Sequence, residues 1–185
     1  GENVVEREGL SIRHPARFVL VSSGNPEEGE LRPQLQDRFG LSVDVRTPSD
    51  VPTRVEIIRQ REAFDHDRAA FKKRWARKQS ALRRKIQNAR AGLDDVDTPA
   101  QLLEMAAHLC LSLGTDGLRG ELTLVRSARA LAALQGKNAA SPSHLKTVAT
   151  SVLRHRLRRD PLDESSADSR VERAVSELFG NDHDR

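Results

Sequence analysis

The sequence predicts an α/β segment followed by an all-α part. Three observations predict it. Apolar and polar residues alternate over Asn3–Arg7 and again over Leu10–His14. Phe18-Val19-Leu20-Val21 is a continuous apolar run. From about residue 50 onward, apolar residues recur at helical spacing, with Ser, Thr, Asp, Pro and Gly where helices start and stop.

The two alternating runs flank Glu8-Gly9, a turn pair, so a β-hairpin is expected over the first fifteen residues, ended by Pro15. Phe18–Val21 reads as a strand buried on both faces of a parallel sheet. The polar loop Ser22-Ser23-Gly24-Asn25-Pro26 follows it. A short helix is expected over Arg32 to Phe39, with Pro33 at an early helical position and Gly40 as its stop. Leu41, Val43 and Val45 alternate as another short strand.

Ser49 or Asp50 then caps a helix through Pro52, Val55 and Ile58 to about Glu62, with a break at Ala63-Phe64-Asp65. A second helical stretch spans Arg68 to Ala91, with Gln79-Ser80 as a place for a kink. Thr98 caps a third from Pro99 to Leu113, which Gly114 stops. A fourth covers residues 117–135, with Leu118, Leu122, Val125, Arg129 and Ala132 on one stripe. Ser141-Pro142 opens a fifth that runs to about Arg158 and is stopped by Asp160-Pro161. The last covers Ser169 to Phe179, and the tail after Gly180 is expected to fray. This gives three regions: an α/β part over residues 1–48, a helical linker over 49–98 and a helical domain over 99–185.

Composition narrows the function classes. Of 185 residues, 37% are hydrophobic and 31% charged, too apolar in places for disorder throughout. Aromatics are 3%, with no Tyr and one Trp, so Leu, Val, Ile and Ala must build the core; a protein that stacks bases would want more rings. The net charge of +4 makes anionic partners such as nucleotide plausible. Cys110 is alone, so it forms no internal disulfide; within Leu109-Cys110-Leu111 it reads as a buried inert thiol, suited to a reducing cytosol. No apolar run approaches the roughly 18 residues needed to span a bilayer. His108 and Cys110 are two apart, on different helix faces, and no metal-binding cluster emerges.

Three motifs could carry chemistry. Asn25 follows the carboxyl end of the expected buried strand, where α/β sheets bind ligands. Its amide could orient a water or a phosphate oxygen, or simply close an Asx-turn. Arg38, beside Asp37 at the end of a short helix, is either a surface ion pair or an arginine finger, which stabilises charge building on a transferring phosphoryl. Arg119, in Gly117-Leu118-Arg119-Gly120-Glu121, opens a long helix whose positive dipole end also favours an anion; otherwise it is an exposed first-turn arginine. The stretch 68–90 carries ten Lys and Arg and no acid. It could be a solvated face or dock an acidic partner; nucleic acid is the least favoured of its readings. Phe71 and Trp75, four apart, read as seating that helix on the core. The charges of Arg154–Arg159 read as the basic end of a helix, which its dipole favours.

Together the three motifs follow the order of sensor 1, arginine finger and sensor 2 in AAA+ ATPases. The wording is narrower. Val4 to Phe18, Gly24-Asn25-Pro26-Glu27-Glu28-Gly29-Glu30-Leu31-Arg32-Pro33-Gln34-Leu35, Asp116 to Glu121, and Arg154 to Leu162 resemble the ATPase (I) subunits of magnesium chelatase. The resemblance implies a partial AAA+ core, holding the last parallel strands and a pre-sensor-1 hairpin, then a helical linker and lid. It implies an ATPase motor that couples ATP hydrolysis to insertion of Mg²⁺ into protoporphyrin IX, towards chlorophyll or bacteriochlorophyll. Asn25 would be sensor 1, Arg38 a finger acting on the adjacent subunit's ATP, Arg119 the sensor 2 arginine, and Asp37 a residue positioning Arg38. The implied cofactors are ATP and the Mg²⁺ that arrives with it. The implied partners are further copies in a ring, a hexamer by family pattern, a second AAA+-like chelatase subunit and a large porphyrin-binding subunit. The implied compartment is the cytoplasm, or the plastid stroma in a plant or alga.

The chain departs from the family at Ser22, where Gly is usual, and at Gln36, where Leu is usual. No Gly-x4-Gly-Lys-Ser/Thr occurs, Gly136-Lys137-Asn138 lacking both spacing and hydroxyl. No apolar strand ends in Asp-Glu; Asp163-Glu164 follows a Pro-Leu loop. On the resemblance those parts precede Gly1, and this stretch by itself is not expected to hydrolyse ATP. A MoxR-type AAA+ chaperone and a DNA-associated AAA+ regulator are the rival readings.

Overall fold

The computed structural model describes residues 1–25, 29, 31–157 and 166–180. The chain divides into two compact units, Gly1–Arg32 and Pro33–Arg185. The division falls before the short helix and the 37–44 segment, whereas the sequence places the end of the α/β part at residue 48.

In the first unit, β1 (Glu2–Arg7) pairs antiparallel with β2 (Leu10–Pro15), Val5 opposite Ile12 and Arg7 opposite Leu10. The expected hairpin is therefore formed. Glu8 (φ 48°) and Gly9 (φ 83°) both have positive φ, which the type I′ turn favoured by twisted hairpins requires. Glycine accepts that conformation without strain. The Ala16 N–H donates to the Gly1 carbonyl at 2.8 Å, closing the open end.

The parallel strands expected at Phe18–Val21 and Leu41–Val45 are not formed. Residues 16–25 and 41–49 carry no strand, and Phe18 and Val21 are 78% and 88% exposed. A strand buried on both faces exists only through a ladder on each side and cover on each face. Among the described residues, β1 and β2 pair only with each other. The apolar composition of 18–21 is thus left unsheeted, and the partly α/β character rests on the hairpin.

The second unit is helical. Its elements are α1 (Pro33–Gln36), α2 (Val51–His66), α3 (Arg68–Ala91), α4 (Ala100–Ser112), α5 (Arg119–Leu134), α6 (Pro142–Leu153) and α7 (Ala167–Phe179). Caps explain several ends. The Asp50 carboxylate accepts from the Thr53 N–H at 2.9 Å, and Asp67 accepts from Ala69 and Ala70, each at 2.9 Å. Asp67 also sets the break between α2 and α3, a few residues beyond the expected break at Ala63–Asp65. Thr98 does not cap α4. Pro99 takes that position with φ −57° and ψ 142°, and its carbonyl accepts from Leu102 at 2.9 Å.

The core lies among α4–α7. Leu102, Leu109, Leu124, Leu145, Leu153 and Val171 are fully buried. Each contributes about 1.5–3 kcal/mol relative to exposure. On α5 the buried stripe is Gly120, Leu124, Ala128 and Ala132, not the one read from Leu118 and Leu122, which are exposed. Three of the four, Gly120, Ala128 and Ala132, are small and let α4 and α6 approach α5 closely around the buried Leu124. α6 ends at Leu153 and gives way to a turn over 154–157, short of the expected Arg158; Arg158 to Ser165, including Asp160-Pro161 and Asp163-Glu164, lie outside the described residues, as does the tail 181–185.

α2 and α3 bury no residue completely. Phe71 and Trp75 do not seat α3 on the core. Phe64 of α2 meets Phe71 edge-on at 5.5 Å, Phe71 lies 6.1 Å from Trp75, and Arg74 donates to Gln60 at 3.0 Å. The rings therefore bind α3 to α2. Arg74 and Lys78 stand over Phe71 and Trp75 at 5.0 and 4.6 Å, which keeps their charges in water over apolar faces. The far end of α3 is tied to α5 by Arg129, whose Nη2 donates to the Leu93 carbonyl at 3.0 Å. The α4 and α6 entrances are bridged where Asp97 donates to Asn138 at 2.8 Å and accepts from Ala140 at 2.9 Å.

Candidate functional site

Arg119 is placed by the glycines around it. Gly117 has φ +66°, a left-handed turn that swings the chain from α4 into α5. A Cβ on Gly120 would stand 3.3 Å from Cys110 Sγ and 3.5 Å from Leu153 Cδ2. The first turn of α5 is thus pressed against α4 and the end of α6, and Arg119 projects from its rim. A cation at a helix N-terminus is opposed by the helix dipole. Here the Asp37 carboxylate offsets this, pairing with Arg119 through Oδ2.

Asp37, Arg38, Phe39 and Gly40 follow α1 in a turn. Arg38 N–H donates to Leu35 and Phe39 N–H to Gln36, at 3.1 and 3.0 Å. The Arg38 side chain is exposed, and nothing among the described residues holds its guanidinium. Its flanks are held firmly. Arg156, in the turn after α6, has a side chain only 4% exposed. Its Nη2 donates to the Phe39 carbonyl at 2.7 Å and the Asp37 carbonyl at 3.4 Å, and its Nη1 donates to Gly40 at 3.2 Å and to Val152. Its Nε faces Asp37 Oδ1 at 3.5 Å. His155 Nε2 lies 3.0 Å from the Phe39 carbonyl. Farther along, Ser42 N–H donates to Ser151 at 2.8 Å, and Arg154 pairs with Asp168 at 3.0 Å and faces Asp44 at 3.9 Å.

Burial shapes the electrostatics. It lowers the pKa of Arg156; Asp37 opposes the shift and Arg119 adds to it. Burial also lowers the pKa of His155, with the Phe39 hydrogen bond opposing and Arg156 adding. His155 is therefore neutral at pH 7, as two guanidiniums nearby require. The site is an open carboxylate, Asp37, shared between one exposed and one buried arginine, with Arg38 next to it in the chain and unheld among the described residues.

The structure thus brings Asp37, Arg38 and Arg119 together within the second unit. The partners of Asp37 are Arg119 and Arg156. Asn25 is exposed at the end of the 16–25 coil in the first unit; Pro26, Glu27, Glu28 and Glu30 of its motif lie outside the described residues. Sequence reasoning missed Arg156 and His155, having read 154–159 as a basic helix end. A signal was present: Leu145, Ala149, Val152 and Arg156 fall on one helical stripe, so the arginine continues a buried face. His108 is exposed while Cys110 is buried. No group of three or more His, Cys, Asp or Glu among the described residues could hold a metal, and no helix among them is long and apolar enough to cross a membrane.

Comparison with known proteins fits this geometry. Residues 103–175 match the AAA lid domain. The chain is 63% identical over 179 residues to the magnesium-chelatase 38 kDa subunit of Acidiphilium rubrum, covering 97% of this chain and 52% of that protein. It is 64% identical to the 38 kDa subunit of Cereibacter sphaeroides, covering 97% and 54%, and 46% identical to the magnesium-chelatase subunit ChlI of Mesostigma viride, covering 97% and 50%. The chain spans about half the length of the curated relatives it matches. A solved protein of Cytophaga hutchinsonii, assigned as an ATPase, superposes with a TM-score of 0.67 at 16% identity, over 93% of this chain and 57% of that one, and so shares its fold. Over the half of the relatives' length that it spans, the chain is similar throughout to the magnesium-chelatase 38 kDa subunit (ChlI), and its residues 103–175 are an AAA lid domain.

Proposed function

We propose that this chain is the sensor, finger and lid portion of the ATP-hydrolysing subunit of magnesium chelatase, which couples ATP hydrolysis to Mg²⁺ insertion into protoporphyrin IX. The observation that carries the reading is the pairing of Arg119 with the carboxylate next to Arg38. Two exposed arginines from distant parts of the sequence are thereby brought to one carboxylate, Arg119 paired with it and Arg38 next to it in the chain. That arrangement suits an anionic ligand with charge spread over several oxygens, such as the terminal phosphates of ATP. Arg38 is the finger directed at an adjacent protomer's nucleotide, and Arg119 the sensor 2 arginine. A phosphate reaching Arg119 competes with Asp37 for it. Asn25 is the sensor 1 residue, which orients water or phosphate oxygen. ATP supplies the phosphoryl chemistry and brings its Mg²⁺. The remaining partners are further copies in a ring of six, a second AAA+-like subunit and a large porphyrin-binding subunit, in the cytoplasm or the plastid stroma.

The test uses the full-length protein mixed with the two partner subunits, with and without Arg38→Ala. Mg-protoporphyrin formation by the parent, and its loss in the variant with nucleotide binding intact, is the expected result. ATPase activity without chelation, given competent partners, would instead identify a remodelling chaperone of related architecture.

A further inference from the structure

The geometry points to Arg156 as the positioning residue for Arg38: it fixes the finger loop to the lid, so that lid and finger move as one body. This rests on the reading of Arg38 as a finger. The loop has little structure of its own, since α1 is a single turn. Instead the Arg156 guanidinium crosses beneath it and engages three consecutive-region carbonyls, those of Asp37, Phe39 and Gly40. His155 meets the Phe39 carbonyl from the same side, and Ser42 is hydrogen-bonded to Ser151 within α6. The planar fork of an arginine sets its donors on separate nitrogens in fixed directions, whereas the three donors of a lysine share one atom. Burial of the side chain makes those bonds hard to exchange for water.

The same residue ties the two exposed arginines together. Asp37 presents Oδ2 to Arg119 and Oδ1 towards Arg156. A displacement of the first turn of α5 is thus passed through Asp37 and Arg156 to the backbone on both sides of Arg38. The compact unit that holds the lid helices also holds residues 37–40, as this coupling demands.

The test is a mutant cycle on the full-length protein, with ATPase rate, nucleotide affinity and melting temperature measured for each variant. Arg156→Lys keeps the charge but not the fork. Its kcat is expected to fall about ten- to a hundredfold, the scale on which misplacing a catalytic group by an ångström acts, while nucleotide affinity stays within about twofold of the parent by the same reasoning. In the Arg38→Ala background, Arg156→Lys is expected to lower kcat no further, because a positioning residue has nothing left to position. Should the two losses multiply, or should Arg156→Lys turn over like the parent, the inference is overturned. Should Arg38→Ala itself leave kcat unchanged, the finger reading fails instead. His155→Gln, which removes the second contact to Phe39, serves as the milder variant, with a smaller loss that likewise vanishes in the Arg38→Ala background.

Discussion

At the scale of single residues, burial decides what the titratable groups of the lid can do. His155 is held neutral, with its pKa below the ordinary 6.5 mainly because its ring is buried. An unfolded chain protonates this histidine first as pH falls. The stability it permits is therefore complete above about pH 6.5 and is lost as pH drops through the window below it. Protonation in place would also set a second cation against Arg156. Melting curves between pH 7.5 and 5.5 should accordingly fall more steeply for the parent than for His155→Gln. Cys110 behaves oppositely. Its pKa is pushed up to about 11, by burial first and by Glu121 second, so almost no thiolate forms at neutral pH. Alkylation of native protein at pH 7.5 should leave Cys110 unmodified, and denaturant should expose it fully; rapid labelling of the native thiol would contradict its placement against Gly120. The burial of Cys110 was legible in its apolar neighbours. The burial of Arg156 was hinted at by its place on the α6 stripe, but its role was not legible, because local sequence shows its charge and not the carbonyls of residues 37–40 that it meets, more than a hundred residues away.

At the scale of elements, start and stop residues were good guides and face assignments were weaker. Asp50, Gly114, Ser141 and Gly180 lie at or beside real helix ends, since caps act through the backbone within a turn, whereas the cap at Asp67 was not read. The α5 face was read correctly at Ala132, but Leu124 was missed, as were the small Gly120 and Ala128, which carry little apolar weight; the exposed Leu118 and Leu122 drew the stripe aside. The two expected strands failed for a different reason: a strand is a property of its neighbours. Close packing at Gly120 makes a sharp prediction. Gly120→Leu must push Cys110 and Leu153 apart and should cost about 1–3 kcal/mol by overpacking. It should also shift Arg119 and lower nucleotide-dependent activity together with stability. Leu124→Ala, a fully buried truncation on the same stripe, should cost about 2–5 kcal/mol yet leave Arg119 in place. Denaturant unfolding of both variants, read beside ATPase activity of the folded fraction, separates the two effects.

At the scale of the whole molecule, the helical unit carries the two candidate phosphate-facing arginines but no phosphate-binding loop of its own. The order of the three motifs was readable along the chain, and so was the resemblance; the joining of residues 37–40 to the lid was not, because it depends on a turn after α6 folding back onto them. That joining bears on how a ring would work. If Arg38 serves the neighbour's nucleotide, each active centre is built from two protomers in head-to-tail contact. An Arg38→Ala protomer then keeps a sound pocket but offers its neighbour no finger. A protomer whose phosphate-binding loop is disabled has the reverse defect. Each is inactive alone, yet in rings assembled from equal amounts of both, an intact pocket meets an intact finger at about one interface in four if assembly is random. ATPase activity should therefore return on mixing to about a quarter of the parental rate, if interfaces act independently. Strictly additive inactivity at every mixing ratio would place Arg38 in its own protomer's centre. The Arg156→Lys variant should follow Arg38→Ala in this assay, complementing a pocket-dead protomer in the same direction, because its defect lies in the finger it presents and not in the nucleotide it binds.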